Sequence, residues 1–171
     1  DILCEKPMSL NLGSCEELIE ECKNCRVSLH IGFHRRFDPT FVQVKKQSRN
    51  RSLEQLTITS RDPRSPSAQY SQSCGGIFKD MMIHDWDMAR WLLPSPIEKL
   101  CVFATGANGQ EVNSCEEIQR AIVSFVTTDG HQGQIINNRR SGFGYDQRIE
   151  IQGDFGCLQA ENPTVNNLRS L

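Results

Sequence analysis

The period of the apolar positions changes along the chain, and each change marks an element. Ile2 to Glu5 is a short, mostly apolar run that stops at Lys6-Pro7. It predicts a buried strand ended by proline, whose ring bars helical backbone at Lys6 and sets that side chain at a strand end. From Asn11 to Asn24, Leu18, Ile19 and Cys22 fall on one helical face, with Ser14 as N-cap and Glu17 completing a capping box. Arg26 to Phe33 alternates Val27, Leu29 and Ile31 with Ser28, His30 and Gly32, the two-residue period of a strand. Strand, helix and strand in so short a span predict a parallel βαβ unit, the closing part of a doubly wound sheet.

Further on, Thr40 to Ser48 reads as a helix and Leu53 to Arg61 as a strand. Asp62 to Cys74, rich in Pro, Ser, Arg and Gln, reads as a loop. Gly75 to Leu92 reads as one continuous helix closed by Pro94. The remainder is strand-like: Ile97 to Thr105, Glu117 to Thr127, His131 to Asn138, Gln147 to Gln152 and Gly156 to Ala160. Thr128-Asp129-Gly130 and Gly153-Asp154-Phe155 supply hairpin turns. The fold class is therefore α+β: a βαβ remnant, then an open, mostly antiparallel sheet with helices on one face.

Composition narrows the partners. The chain has 171 residues and a formal charge of −2, which suits no polyanion, so no nucleic acid is expected. No apolar run approaches the roughly 20 residues that span a bilayer, so no membrane is expected either. The opening residues lack the basic and apolar regions of a signal peptide and start inside a strand. The expectation is a cytoplasmic protein of which this chain is a part, with its eight cysteines reduced. Cys22 and Cys25 have metal-like spacing, but no second pair follows, and no metal is expected.

Candidate chemistry lies in three places. Lys6 sits at a strand end, where open α/β sheets bind ligands and where an ammonium can stabilise an alkoxide or give up a proton; it can equally be a solvated lysine. Arg35-Arg36 can take a carboxylate or polyol, or pair with surface acids. On a helix, Asp80, His84 and Asp87 share one stripe, an imidazole one turn from two carboxylates. Taken alone, that stripe is either proton-handling machinery or an acidic first turn suited to the helix dipole, with an exposed histidine.

Together the spacings are more specific. Glu5-Lys6-Pro7, Gly32-Phe33-x-Arg35-Arg36-Phe37-Asp38-Pro39, Gly75-Gly76-x-x-x-Asp80-x-x-x-His84-Asp85-x-Asp87 and Gly144-Tyr145-Asp146-Gln147-Arg148 occur in order. This series resembles the Gfo/Idh/MocA oxidoreductases, and within them the inositol 2-dehydrogenases. The resemblance implies residues 1–33 as the remnant of a Rossmann domain binding NAD or NADP, and residues 34–171 as a substrate-binding and oligomerisation sheet domain cut short at its C-terminus. It implies Lys6, Asp80 and His84 as catalytic residues, with His84 the general base. It implies Arg35, Asp87 and Tyr145 as substrate contacts, and Glu5, Lys6 and Pro7 near the cofactor. The substrate would be a cyclic polyol or sugar, myo-inositol first, and the protein a homo-oligomer paired through an apolar open sheet face. No Gly-x-Gly-x-x-Gly occurs in the sequence, so the chain as given is expected to bind NAD weakly or not at all. The alternative is a non-catalytic sheet domain serving oligomerisation or ligand binding.

Overall fold

The computed structural model describes residues 1–114, 117–142 and 144–162. The last residues of the second expected domain, 163–171, lie outside these. The chain opens with strand β1 (Ile2–Cys4), helix α1 (Leu12–Asn24) and strand β2 (Leu29–Ile31). β1 and β2 pair in parallel as a two-stranded sheet of their own, which is the expected βαβ unit. The cap differs from expectation. Asn11 is the N-cap, and its side chain accepts from the Ser14 amide, so Ser14 is inside the helix. Asn11 places an acceptor at the right step before Leu12, which outcompetes a hydroxyl three residues later.

A 3-10 turn (His34–Phe37) then leads into α2 (Pro39–Ser48). Asp38 caps α2 by accepting from the amides of Thr40 and Phe41, with Pro39 at the first helical position. Strand β3 (Leu53–Arg61) follows, then short helix α3 (Ala68–Ser73), α4 (Gly76–Asp80) and α5 (Met82–Leu92). Two corrections arise here. The expected loop 62–74 contains α3, capped by the Ser67 hydroxyl on the Tyr70 amide. The expected single helix 75–92 is two, separated at Met81. Apolar periodicity runs through that break undisturbed, which is why the sequence pattern does not reveal it.

The rest of the chain is strands β4 (Ile97–Thr105), β5 (Arg120–Thr127), β6 (Gln132–Asn138), β7 (Asp146–Gly153) and β8 (Gly156–Glu161). With β3 they form one six-stranded sheet in the order β4-β5-β6-β3-β7-β8. Every pairing is antiparallel except β3 with β6. The α+β class stands.

One face of the sheet carries the core. Leu56, Ile58, Val123, Phe125, Ile135, Ile149 and Ile151 alternate inward under Met82, Met88, Ala89 and Leu92 of α5 and Phe41 and Val44 of α2. The Phe125 ring lies on Gly133, its cross-strand neighbour, so closely that a Cβ there would sit 2.1 Å from the ring. The opposite face is less apolar than expected. Gln134 bonds Ser124, and Glu150 accepts from Gln152 and Gln159, so amides and hydroxyls cover much of it. Exposed apolar side chains gather towards edge strand β4, at Leu100, Val102 and Phe103, with Ile122 alongside.

Candidate active site

The N-terminal unit meets the sheet domain at α4, and two lysines make the joint. Lys6, just past β1 and before a cis Lys6–Pro7 bond, donates from Nζ to the Asp80 carbonyl at 2.7 Å and to Asp80 Oδ1 at 3.1 Å. Lys79 donates to the Leu10 carbonyl at 2.8 Å. The turn into α4 uses Gly75 and Gly76, both at positive φ, where a Cβ would be strained and where one on Gly75 would strike Leu10.

Asp80 is a hub. Its Oδ1 accepts from Lys6 and from the Tyr70 hydroxyl, the latter at 2.9 Å, and its Oδ2 accepts from Arg139 Nη2. The Asp80 carboxylate also raises the Tyr70 phenol above its ordinary value, chiefly through that hydrogen bond. Arg139 follows β6 and is buried, with its guanidinium also against Cys74 Sγ.

Asp85, in the first turn of α5, is a second hub and is wholly buried. It accepts from Arg35 Nη1, from the Ser60 hydroxyl at 2.7 Å and from Asn137 Nδ2 at 2.7 Å. The 3-10 turn, β3, β6 and α5 are thereby pinned at one carboxylate. A buried charge pair of this kind is tolerated only because both its oxygens are satisfied.

His84 lies between the two hubs. The residue is 9% exposed, and its ring meets Phe33 and His34 edge-on, with centroids 6.4 and 5.1 Å away. Nδ1 is shut away from solvent and has no hydrogen-bond partner among the described residues, so Nε2 is the nitrogen that can meet an incoming hydroxyl. Burial pushes the imidazole down to about 3, the charges of Arg35, Lys6 and His34 push the same way, and Asp80 only partly opposes them. At neutral pH His84 is uncharged.

The sequence-level site residues thus separate into groups. Lys6 and Asp80 are in direct contact, with His84 near enough to feel both charges. Arg35 and Tyr145 line one cleft of about 200 Å³ together with His34 and Gln147. Arg35 Nη1 is committed to Asp85 and Ser60, and its buried Nε has no partner among the described residues. Asp87 departs most from expectation. Both its oxygens are held by Arg36, at 2.6 and 2.7 Å, and a break in the helix at Met81 separates it from Asp80 along the chain. Glu5 is exposed and leans on Gly32, and Pro7 is half-buried behind Lys6.

Sequence reasoning assigned no role to Asp85, which it met only as part of a motif, nor to Arg139, Tyr70, His34 and Asp62. Asp62, just past β3, is held above the usual carboxylate range by burial, and Arg139 and Arg35 only partly offset this. The Asp62 charge in turn helps burial to raise the Tyr145 phenol. An acid placed directly before Pro63 at a strand end was the signal available for it. Among the described residues, no group of three or more His, Cys, Asp or Glu side chains is placed to hold a metal ion.

Comparison with known proteins bears on this arrangement. Residues 44–159 match the GFO/IDH/MocA C-terminal domain. The chain belongs to the GFO/IDH/MocA family. Similar GFO/IDH/MocA relatives include the myo-inositol 2-dehydrogenase of Thermotoga maritima, 42% identical across 94% of this chain and 49% of the relative. The inositol 2-dehydrogenase of Rhizobium meliloti is 41% identical across 94% of this chain and 50% of its own length. Among solved structures, the scyllo-inositol dehydrogenase of Lactobacillus casei, with bound NAD(H) and scyllo-inositol, superimposes with a TM-score of 0.78 at 25% identity. That match covers 98% of this chain and 52% of the other. The chain spans about half the length of the curated relatives it matches.

Proposed function

We propose that this chain is the substrate-side half of an NAD-dependent dehydrogenase that oxidises a secondary hydroxyl of a cyclic polyol, myo-inositol foremost. The observation that carries this reading is the Lys6 ammonium fixed on Asp80 beside an uncharged, buried His84. Oxidising an alcohol needs an acceptor for the O–H proton and a cation near the oxygen as it gains charge. Relatives named as inositol 2-dehydrogenases support the substrate class.

The donor set suits the reacting end of a dinucleotide: an ammonium at the end of a parallel strand, flanked by Glu5 and Pro7. NAD, when bound, supplies the hydride acceptor. His84 takes the hydroxyl proton at Nε2, for which the imidazole must start uncharged. Lys6 lies against the oxygen as the C–O bond gains double-bond character, while Asp80 keeps its ammonium from turning away. Arg35 and Tyr145 border the cleft beside His34 and meet the hydroxyls that do not react. Asp87, occupied by Arg36, braces α5 against the 3-10 turn instead of meeting substrate.

Residues 1–33 are, on this reading, the last βαβ of the nucleotide-binding domain. None of the residues of α1 is buried, and Leu3, Leu12, Leu18 and Ile19 are exposed as if waiting for more parallel sheet. Pairing between copies through the sheet is supported by the exposed apolar side chains at β4 and Ile122.

The test is a polyol screen, read by nicotinamide absorbance, on the protein that joins this chain to a nucleotide-binding half. Lys6→Ala and His84→Ala are expected to cut turnover far more than NAD affinity. Activity on no polyol, or equal loss of turnover and cofactor affinity, would overturn the reading.

A further inference from the structure

Arg139 has no place in the resemblance that introduced Lys6, Asp80 and His84, yet it is the most buried cation bearing on them. It is 1% exposed, and its guanidinium reaches the Asp80 carboxylate and Cys74 Sγ. Burying a guanidinium is costly unless it is well paired, and a well-packed apolar side chain of similar volume often serves stability as well. The division of labour on Asp80 suggests what the charge is for. Lys6 and Tyr70 share Oδ1, and among the described residues Arg139 alone reaches across from the end of β6 to Oδ2. A carboxylate held at one oxygen only would swing about its terminal torsion, which is broad. Held from both sides it presents Oδ1 in one direction.

We propose that Arg139 is a positioning residue: it anchors Asp80 from the sheet side so that Oδ1 and the Asp80 carbonyl aim the Lys6 ammonium. This rests on the dehydrogenase reading above, which gives the aimed ammonium its use. The anchor couples two pieces of chain. Arg139 follows the centre of the sheet at β6, and Lys6 belongs to the N-terminal unit, so Asp80 transmits the sheet's position to the lysine. Lysine cannot replace arginine there, since a single ammonium lacks the planar fork that meets Cys74 and Asp80 together.

Two measurements test it. The first needs no activity. Lys6 and the exposed Lys46 are acylated with an amine-directed reagent, and the ratio of their rates is read by mass spectrometry. In Arg139→Lys the Lys6 to Lys46 ratio is expected to rise on the order of tenfold, the loss expected of a charge-assisted hydrogen bond. Arg140→Lys, at an exposed neighbour, is the control and should leave the ratio as it was. A ratio that does not rise in Arg139→Lys overturns the proposal, and Arg139→Gln takes its place if that variant does not fold.

The second measurement is turnover in the protein carrying the nucleotide-binding half. Arg139→Lys should lower kcat on the order of 100-fold, as displaced catalytic groups do, with NAD affinity unchanged. In an Asp80→Asn background the same change should cost little more, because Arg139 acts through Asp80. Independent, additive losses would mean a merely structural arginine and would overturn the proposal. A wild-type protein inactive on every polyol would sink the dehydrogenase reading instead, and the acylation ratio would still decide the role of Arg139.

Discussion

Lowering the pH should destabilise this chain through His84, by an amount that can be worked out in advance. The imidazole is held at about 3 in the folded chain and returns to its ordinary value of 6.5 on unfolding. The unfolded state therefore binds the extra proton, so stability is complete above 6.5 and is lost as the pH falls from there towards 3. At pH 5 nearly every unfolded chain is protonated at this position and almost no folded one is. The linkage relation then gives a loss of about 2 kcal/mol relative to pH 8. For a domain of this size that is a drop of about 4 to 8 °C in Tm. The assay is urea or thermal unfolding at pH 8 and pH 5, for wild type and for His84→Gln, which has no proton to gain. Subtracting the two removes the contributions of other titrating groups. The His84 ring proton resonances, followed by NMR, should show no titration down to pH 5. A ring that titrates between pH 5.5 and 7, or a wild type no more acid-sensitive than His84→Gln, would refute the account of a buried, uncharged imidazole.

Three further perturbations follow from the packing. Asp85→Ala should cost about 3 to 5 kcal/mol in urea unfolding, because it strands the Arg35 guanidinium in the interior and strips Ser60 and Asn137 of their acceptor. Gly133→Ala should destabilise by about 1 to 3 kcal/mol, read the same way, since the new methyl would overlap the Phe125 ring and force it out of place. Asp38→Ala should cost about 1 kcal/mol by uncapping α2, and Asp38→Asn should recover most of it.

The strands and their hairpins were legible in the sequence because burial on one face imposes a period of two, and Leu56 and Ile58 or Ile149 and Ile151 display it plainly. The six-stranded order was not, because nothing local to β3 says that its partners are β6 and β7. Within the candidate site, Lys6, Asp80 and His84 were singled out by the family resemblance, and the Lys6 to Asp80 contact brings two of them together. Their geometry could not. A helical period continues across Met81 although the helix does not, so the pattern of apolar positions hid the break between Asp80 and His84. Arg139 and the role of Asp85 were hidden for a different reason: each looks like a surface charge until partners from distant strands are known. Asn11 was passed over for Ser14 because both are good caps and only the backbone of residue 11 decides between them.

The central place of β3 has a further consequence, for how the chain reaches this structure. β3 is the first strand of the large sheet to be synthesised, yet Ile58 pairs with Ile135 on one side and Ile149 on the other. Until both arrive, at least one of its edges is bare. Closing such long loops before any contact repays them is what slows folding in sheets dominated by distant pairings. An unpaired apolar strand in that interval is also a template for the wrong partner. Folding of this domain should therefore be limited by the capture of β3, and interruptions of the chain before β7 should leave material that associates instead of folding.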